Sequence, residues 1–356
     1  MKLFDTIAGM GHEQIVLCHD PAAGYRGIIA IHSTVLGPAL GGTRFWKYAS
    51  DQEAIVDALR LARGMTYKNA VAGLNLGGGK SVIIGDNKTT DRELIFRAHG
   101  RFVESLGGRY ITAEDVGTST ADMDYVHMET KSVSGLAGRS GDPSPVTAHG
   151  VFRAIQASAK ERWGRDDIAN KVVAVQGCGH VGYYLAKELH EAGAKLVVTD
   201  IDADRVKRAV KDFGARAVKT DEIYGQKAHI FAPCALGAVI NDKTLPQLKV
   251  EIVAGAANNV LLDEKHGDAL EKKGILYAPD YVANAGGVIN VYGELAGWTS
   301  ARALRKADEI YDTVLKVFAI AKGDKIPTYE AADRLAEQRI RAVGSLVRTQ
   351  AQWPNK

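Results

Sequence analysis

The chain has 356 residues, 46% of them hydrophobic and 24% charged, with a formal net charge of +3. These values are typical of a globular protein of roughly two domains and argue against a disordered or fibrous chain. The small net charge gives no reason to expect a nucleic acid or a membrane surface as a partner. The sequence has no apolar run of ~18 residues, no apolar signal core at its start, and no zinc or disulfide spacing among its three cysteines. We therefore predict a cytoplasmic protein without a metal site.

The first half of the chain alternates extended and helical patterns. A short helix precedes two extended segments within residues 13–32, which are separated by a turn. The glycine-rich stretch at residues 36–44 is predicted to be a second turn, whose free backbone amides could bind an anionic group. A helix then starts with Ser50 or Asp51 as its cap and carries residues 65–68 at its C-terminal end.

Three consecutive glycines, Gly77 to Gly79, stand directly before Lys80 in the stretch 73–81. Such a run is unfavourable inside a regular helix or strand, so we expect a loop in which the backbone closely approaches another group. The stretch resembles the phosphate-binding pattern G-x-x-x-x-G-K-[ST], but that pattern requires glycine at position 74, where the chain has Leu74. A nucleoside triphosphate site is therefore the less favoured interpretation.

Two lysines with small and apolar neighbours, Lys68 and Lys80, form the favoured alternative. In a crowded cleft, burial and a neighbouring positive charge would lower the pKa of a lysine, so one lysine could hold a substrate carboxylate while the other acts as a base. The competing interpretation is two solvated surface lysines. A strand over residues 110–113 stops just before Asp115, and chemistry gathers beyond the carboxyl ends of strands in open α/β sheets. Asp115 is expected either to join the lysines or to act as a simple turn residue.

A dinucleotide-binding motif follows a polar, turn-rich connector at residues 138–145 and a helix that starts near Thr147. A buried strand over residues 171–176 leads into a glycine-rich loop, a helix, a second buried strand and Asp200. This is the order of a Rossmann βαβ unit, in which the acidic residue binds the adenosine ribose and repels a 2′-phosphate, so we predict NAD rather than NADP. The loop consists of Gly177, Cys178, Gly179, His180, Val181 and Gly182.

Further strand and helix patterns complete the second half. A long amphipathic pattern covers residues 300–321, and a last helix is predicted from position 329 to about 350. Because no β signal follows Val291, this last helix is expected to pack on the first domain. The additional strands are predicted within residues 229–235, 251–259 and 274–280.

Six blocks of the chain, taken in this order, form a highly specific pattern. They are residues 36–44, 59–69, 73–80, 110–117, 277–282 and 284–291. On these blocks the sequence resembles the glutamate, leucine, phenylalanine and valine dehydrogenase family over essentially its whole length, and its leucine branch most closely. The resemblance implies NAD-dependent, reversible oxidative deamination of an L-amino acid to the 2-oxo acid and ammonium. It also implies a cytoplasmic homo-oligomer.

The resemblance and the dinucleotide motif together predict a two-domain α/β fold with the active-site cleft between the domains. Residues 1–137, with a C-terminal helix at about 328–356, would form an α/β domain for substrate binding and oligomerisation. Residues 138–145 would be the connector, and residues 146–327 a doubly wound Rossmann domain for NAD.

The resemblance also implies roles for individual residues. Lys68 would bind the substrate carboxylate, Lys80 would be the catalytic lysine, and Asp115 would exchange protons with the amine. An amide at Asn259, or at Asn258 beside it, would lie near substrate and cofactor. The remaining implied contacts are Gly41 and Met65 for the substrate, and the glycine-rich loop, Asp200, Thr147, Ala235 and Asn284 for the cofactor.

The implied pocket for the substrate side chain resembles that of branched-chain enzymes. It falls on Leu40, Ala113, Val288 and Val291. A methylene in such a pocket is worth only ~1–3 kcal/mol, so leucine, valine and isoleucine are all expected to react. The stretch 255–259 and the loop around 135–142 look more like the phenylalanine branch, so a phenylalanine dehydrogenase is the alternative. A non-catalytic NAD-binding regulatory protein is less favoured, because Lys80 and Asp115 are both present.

Overall fold

Alternating strand and helix patterns fold into two separate β-sheets, one in each half of the chain. The computed structural model describes residues 3–136, 138 and 141–346. Parts of the predicted domains therefore lie outside the described residues, namely positions 1, 2, 137, 139, 140 and 347–356. Within the described ranges, no helix is long and apolar enough to cross a membrane.

The first sheet has five strands. They are β1 (Gln14–Asp20), β2 (Tyr25–Ser33), β3 (Ala39–Trp46), β4 (Gly77–Ile84) and β5 (Tyr110–Glu114). Its helices are α1 (Leu3–Met10), α2 (Asp51–Val71), α3 (Glu93–Glu104) and α4 (Thr120–His127). The strand order is β1-β2-β4-β3-β5, in which β2 is antiparallel to both neighbours and β3 is parallel to both of its own. Ser50 caps α2 as predicted, because its side chain accepts a hydrogen bond from Glu53 N.

The prediction that Gly77 to Gly79 form a loop is wrong, because all three glycines lie inside β4. Neighbouring atoms come too close to this part of the strand for any side chain. A Cβ at Gly77 would lie 1.9 Å from Ser33 O, and a Cβ at Gly78 would lie 2.0 Å from Thr66 N on α2. Because these glycines have no side chains, neighbouring backbone can approach the strand closely, and α2 lies directly against the sheet.

The predicted turn at residues 36–44 is also wrong from Ala39 onward, where β3 begins. Only its first residues turn, since Gly37 has a φ of +145° and its N–H donates to Thr34 O. Because β3 lies between β4 and β5, its backbone amides are used within the sheet. They are therefore not free to bind an anionic group.

The second sheet has six strands, all parallel. They are β6 (Val172–Gln176), β7 (Lys195–Thr199), β8 (Arg216–Ala217), β9 (Ile230–Pro233), β10 (Ile252–Val253) and β11 (Leu276–Tyr277). The helices that follow the first sheet are α5 (Ser144–Trp163), α6 (His180–Glu191), α7 (Ala203–Phe213), α8 (Glu264–Lys272), α9 (Asp280–Ala283), α10 (Gly286–Leu295), α11 (Ser300–Asp308), α12 (Ile310–Asp324) and α13 (Thr328–Gly344). The pattern predicted over residues 300–321 is thus divided into α11 and α12 at Glu309.

The order of the second sheet is β8-β7-β6-β9-β10-β11, so the chain starts at the centre, runs to one edge, and returns to fill the other side. This is the doubly wound order of a dinucleotide-binding sheet, with its switch point between β6 and β9. The predicted fold class, a two-domain α/β protein with a Rossmann sheet in its second half, is confirmed.

The last helix returns to the first half of the chain, as predicted. Tyr67 Oη of α2 donates a hydrogen bond to Glu337 Oε1 of α13 at 3.0 Å. Arg339 of the same helix donates to Ala70 O at 2.9 Å. One hydrophobic cluster joins these helices to Leu40 of the first sheet and to the core of the second sheet. The two halves therefore share a continuous core behind the cleft.

Replacing Gly78 by alanine tests the close approach of α2 to β4. We expect Gly78→Ala to lower the free energy of unfolding by about 3 kcal/mol, since the new Cβ would collide with backbone and neither element can move freely. Urea unfolding followed by circular dichroism measures the change. Gly64→Ala is the matched control, because a Cβ at Gly64 of the same helix meets nothing within 4 Å. That control should stabilise the chain by roughly 0.5–1 kcal/mol, and equal effects of both changes would contradict the argument.

Candidate active site

Lys80 lies on β4 directly after the three glycines and is only 5% exposed. Its Nζ donates a hydrogen bond at 2.8 Å to Oδ2 of Asp115, which follows the C-terminal end of β5. Burial lowers the pKa of Lys80, although the Asp115 carboxylate raises it in part. Burial also opposes the ionisation of Asp115, but Lys80 and Arg44 more than offset it, so the pKa of Asp115 is lowered. The pair combines a lysine whose pKa is lowered with a carboxylate whose pKa is also lowered, so that the carboxylate stays ionised.

Lys68 lies in the last turn of α2 and faces the same cleft. Burial lowers the pKa of Lys68 to about 8, while the carboxylate of Asp280 raises it in part and Lys80 lowers it further. The Lys68 ammonium also donates a hydrogen bond to Asn258 Oδ1 at 3.4 Å, across the cleft. The structure thus brings Lys68, Lys80 and Asp115 into one cluster of charges, and their individual roles stay predictions.

Glycines of β3 leave room for this cluster. A Cβ at Gly42 would lie 2.8 Å from Asp115 Cβ, so the carboxylate fits against the strand only because Gly42 has no side chain. A Cβ at Gly41 would lie 1.8 Å from Gly79 O, next to Lys80. The Gly41 carbonyl accepts a hydrogen bond from Tyr110 Oη at 2.6 Å, which fixes the strand at this point.

The apolar residues predicted to line the substrate pocket come together from both halves of the chain. A single hydrophobic cluster contains Leu40, Met65, Val288 and Val291. Ala113 and Val291 line a cavity of about 590 Å³, which also borders Asn290. The structure thus brings Ala113 and Val291 to one cavity, while the complete pocket for the substrate side chain stays a prediction.

Of the two neighbouring amides predicted near substrate and cofactor, Asn258 and Asn259, the first contacts Lys68. Asn258 Oδ1 accepts hydrogen bonds from Lys68 Nζ and, at 2.8 Å, from Asn284 Nδ2. Asn259 has a φ of +51°, and its carbonyl accepts from Ala238 N at 2.6 Å. These contacts place the side chain of Asn258 at the cleft, and the role predicted for Asn259 stays a prediction.

The glycine-rich loop between β6 and α6 has the geometry of a dinucleotide-binding turn. Gly177 has a φ of +99°, and a Cβ there would lie 2.8 Å from Ala235 Cβ. A Cβ at Gly182 would lie 2.0 Å from Gly177 O, so this glycine permits close packing of helix on loop. The helix begins at His180 with Gly179 as its cap, and its first amides have no acceptor within the helix.

Asp200 lies directly after β7 and contacts the loop. Its Oδ2 accepts a hydrogen bond from Cys178 N at 2.6 Å. The Cys178 thiol is buried and donates to Thr199 O at 3.8 Å, while the exposed His180 ring lies 3.6 Å from Asp142 Oδ2. Neither side chain is thus held towards the centre of the loop, and the amides from Gly179 to Val181 are the groups available to a phosphate.

The remaining predicted cofactor contacts lie around the start of α10. Asn284 is almost fully buried and donates to Ala256 O at 3.0 Å, yet its Oδ1 has no hydrogen-bond partner among the described residues. Thr147 Oγ1 donates a hydrogen bond to Pro143 O at 2.9 Å. The same oxygen lies close to Gly287, since a Cβ added to that glycine would be 3.2 Å from it. A buried oxygen without a donor fits a ligand amide, so these residues and the loop fit a nicotinamide dinucleotide.

Two charged residues of the cluster, Arg44 and Asp280, are not predicted from the sequence. Arg44 Nε donates to Asp115 Oδ2 at 3.1 Å, and Asp280 accepts from Val260 N while its charge acts on Lys68. The available signal was position, since each lies at or just beyond the end of a strand of its sheet, as Asp115 does.

The cluster is suited to proton transfer next to a bound anion. Within the described ranges, no group of three or more His, Cys, Asp or Glu side chains is arranged to hold a metal ion. A desolvated lysine, an ionised carboxylate and a second lysine can exchange protons and bind a carboxylate in one cleft.

Comparison with known families supports this chemistry. A family model described as "Glu/Leu/Phe/Val dehydrogenase, dimerisation domain" matches residues 12–132. A second model, described as "Glutamate/Leucine/Phenylalanine/Valine dehydrogenase", matches residues 138–204 and 198–343. Together the two models account for nearly the whole chain.

Individual relatives agree with the family models. Leucine dehydrogenases from Geobacillus stearothermophilus and Thermoactinomyces intermedius are 59% and 60% identical over 343 residues, which are 96% of this chain and 94% of each relative. The crystal structure of L-tryptophan dehydrogenase from Nostoc punctiforme superposes with a TM-score of 0.88 at 47% identity, covering 96% of this chain and 99% of the other. The chain belongs to the glutamate, leucine, phenylalanine and valine dehydrogenase family and is an amino acid dehydrogenase.

Proposed function

We propose that this enzyme catalyses the NAD-dependent, reversible oxidative deamination of branched-chain L-amino acids, L-leucine above all, to the 2-oxo acid, ammonium and NADH. The observation that carries the proposal is the buried contact between Lys80 and Asp115, beside Lys68 and an apolar wall. This reaction needs a base, a group that exchanges protons with the amine, a site for the carboxylate and an apolar pocket. Lys80, Asp115 and Lys68 would supply the first three in one cleft, next to the proposed pocket.

Lys68 is the group that would bind the substrate carboxylate. It is a cation at the edge of the cleft, and the bound carboxylate would favour its charged form, offsetting the effect of burial. Asn258 already contacts Lys68 Nζ and so restricts where the ammonium points. The α-carbon of the substrate would then face the second domain, with its amine near Asp115.

The second domain would hold NAD by the glycine-rich loop, Asp200, Ala235 and Asn284. When bound, the nicotinamide accepts the hydride that leaves the substrate α-carbon. Asp200 would meet the adenosine ribose, and its negative charge would disfavour the 2′-phosphate of NADP. Thr147 lies at the same end of the domain, next to Gly287.

Proton transfers would fall to the pair in the first domain. Loss of hydride leaves an iminium carbon on the substrate, and neutral Lys80 would take a proton from the water that attacks it. Asp115 would first accept a proton from the substrate ammonium and later return it to the nitrogen of the carbinolamine. The C–N bond then breaks, ammonia leaves, and the Asp115 carboxylate takes the hydroxyl proton as the carbonyl of the 2-oxo acid forms. The lowered pKa of Lys80 favours this step, because the base must be neutral before it can act.

The choice of branched-chain substrates rests on the bulk of the pocket. The four predicted pocket residues Leu40, Ala113, Val288 and Val291 are all apolar, and leucine dehydrogenases are among the relatives. Relatives also include a phenylalanine dehydrogenase from Bacillus thermotolerans at 51% identity and the tryptophan enzyme. An aromatic substrate is therefore the alternative outcome of the substrate test.

We further propose a cytoplasmic homo-oligomer with the domain boundaries predicted above, at residues 1–137, 138–145 and 146–327, and with the C-terminal helix joined to the first domain. The description of the first family model as a dimerisation domain supports self-association through that domain. The three cysteines are free thiols, as a reducing compartment favours.

Initial rates with a panel of amino acids test the substrate proposal. With NAD at alkaline pH, L-leucine, L-valine and L-isoleucine should each give a kcat/KM at least about tenfold above L-phenylalanine, L-tryptophan and L-glutamate, because the pocket is apolar and filled by branched side chains. D-leucine is the stereochemical control and should not react. A preference for an aromatic substrate would overturn the pocket argument and leave the mechanism intact.

Substituting the two lysines separates binding from chemistry. Lys80→Ala should lower kcat by ~10²–10⁴-fold, because it removes the base. Lys68→Ala should mainly raise KM for L-leucine, by roughly 10–100-fold, because it removes a charge-assisted hydrogen bond to the carboxylate. Lys88→Ala, an exposed lysine away from the cleft, is the control. Steady-state kinetics give both parameters, and a reversal of the two patterns would exchange the proposed roles.

Replacing Asp200 tests the choice of cofactor. Asp200→Asn keeps an acceptor for Cys178 N but removes the charge that repels a 2′-phosphate. The ratio of kcat/KM for NAD to that for NADP should fall by about tenfold or more, the effect of removing one close like charge. Asp204→Asn, which breaks only an exposed ion pair with Lys207, should leave the ratio unchanged. An unchanged ratio in both variants would show that Asp200 does not select NAD.

A further inference from the structure

Arg44 connects the active-site carboxylate to a second carboxylate behind it. It lies near the end of β3 with a side chain that is 21% exposed. Its Nε donates to Asp115 Oδ2 at 3.1 Å, and its Nη1 donates to Asp57 Oδ2 of α2 at 2.7 Å. One guanidinium therefore bridges two carboxylates that lie on different elements, a geometry that a lysine cannot reproduce.

The far end of this bridge is itself held in place. Asp57 Oδ2 also accepts a hydrogen bond from Tyr48 Oη at 2.7 Å, and its Oδ1 accepts from Arg60 at 3.1 Å. The Asp57 side chain is only 15% exposed, so solvent competes weakly for these contacts. The guanidinium of Arg44 is thus anchored on α2, the helix that also carries Lys68.

At the near end of the bridge, the two carboxylate oxygens of Asp115 have different contacts. Lys80 and Arg44 both donate to Oδ2, so neither cation takes Oδ1. A carboxylate held at one oxygen by two cations keeps its plane fixed, and neither cation competes with a substrate for Oδ1. The backbone of Val116 also hydrogen-bonds the carboxylate and adds to its anchoring. The arrangement also makes Lys80 and Arg44 share one acceptor, which weakens the hold of Asp115 on the lysine.

We propose that Arg44 is a positioning residue for the deamination reaction, which anchors Asp115 by Oδ2 so that Oδ1 meets the substrate amine, and which limits the ion pairing of Lys80. The inference rests on the roles given to Lys80 and Asp115 in the proposed function. It assigns to Arg44 no contact with the substrate.

The charges around Lys80 predict the direction in which each substitution should shift the pKa of this lysine. After burial and Asp115, the next influence on the pKa of Lys80 is Arg44, which lowers it, and Asp57 then raises it. Loss of the arginine charge should thus raise the pKa of Lys80, and loss of the aspartate charge should lower it. The ionisable groups that face the pair are Arg44 of β3, Asp57 and Lys68 of α2, Tyr110 of β5 and Asp280 of α9.

The test is the pH profile of kcat/KM, measured first on the unmodified enzyme with its best amino acid. Turnover there establishes the proposed function separately from the role of Arg44, and absence of turnover with every amino acid would reject that function. Because Lys80 must be neutral, the rate falls as the pH drops through its pKa. Arg44→Met should move this acid limb to higher pH by roughly 0.5–1 unit and lower kcat about tenfold or more.

Three further variants decide between positioning and simple stability. Asp57→Asn should move the acid limb to lower pH, opposite to Arg44→Met, which general loosening of the fold would not produce. Arg44→Lys should keep the limb near its normal position but not restore kcat, since it cannot bridge both carboxylates. Arg26→Met, which removes an exposed arginine paired with Asp51 at the start of α2, is the matched control and should leave kcat nearly unchanged.

Several outcomes would overturn the proposal. An unmoved acid limb and normal kcat in Arg44→Met would show that Asp115 needs no anchor. Full rescue by Arg44→Lys would show that charge alone matters, not the bridge. If Arg44→Met does not fold, as judged by circular dichroism, the pH profile of Asp57→Asn still tests the inference. An acid limb of kcat/KM that stays in place or moves to higher pH in that variant contradicts it.

Discussion

The close approach of α2 to β4 is the constraint on which the rest of this structure depends. Gly78 has no side chain, so Thr66 of α2 lies directly against the strand, and Lys68 two residues later reaches the cleft beside Lys80. A larger residue at Gly78 would push the helix outward and separate the two lysines. Glycine in a strand interior is unfavourable on entropic grounds, but β4 is paired on both sides and its glycines are fully packed.

Burial and counter-charges together set the protonation states of the site. A carboxylate lies near each lysine, Asp115 near Lys80 and Asp280 near Lys68. Burying either ammonium without such a partner would cost several kcal/mol of desolvation free energy. Burial lowers the pKa of both lysines and raises that of Asp280, whereas Asp115 stays ionised between two cations. The site thus holds one lysine ready to lose its proton without leaving any charge isolated.

The cleft is complete only where the two sheets meet. The first sheet supplies Lys80 from the middle of β4 and Asp115 from just beyond β5, while the second supplies the glycine-rich loop at the switch point between β6 and β9. Asn258 joins the two, because its amide contacts Lys68 on one side and Asn284 on the other. A movement of one domain relative to the other would therefore alter carboxylate binding and the cofactor site together.

The sequence by itself determined the elements whose evidence is local. The strand, glycine loop and helix around Gly177 are contiguous, and Lys68, Lys80 and Asp115 stand in blocks that resemble one family. Only the tertiary structure showed that the glycines of β3 and β4 lie in strands, that Asn258 contacts Lys68, and that Arg44 holds Asp115. The reason is that these three features depend on contacts between residues far apart in the chain. Such contacts leave no pattern within one stretch of sequence.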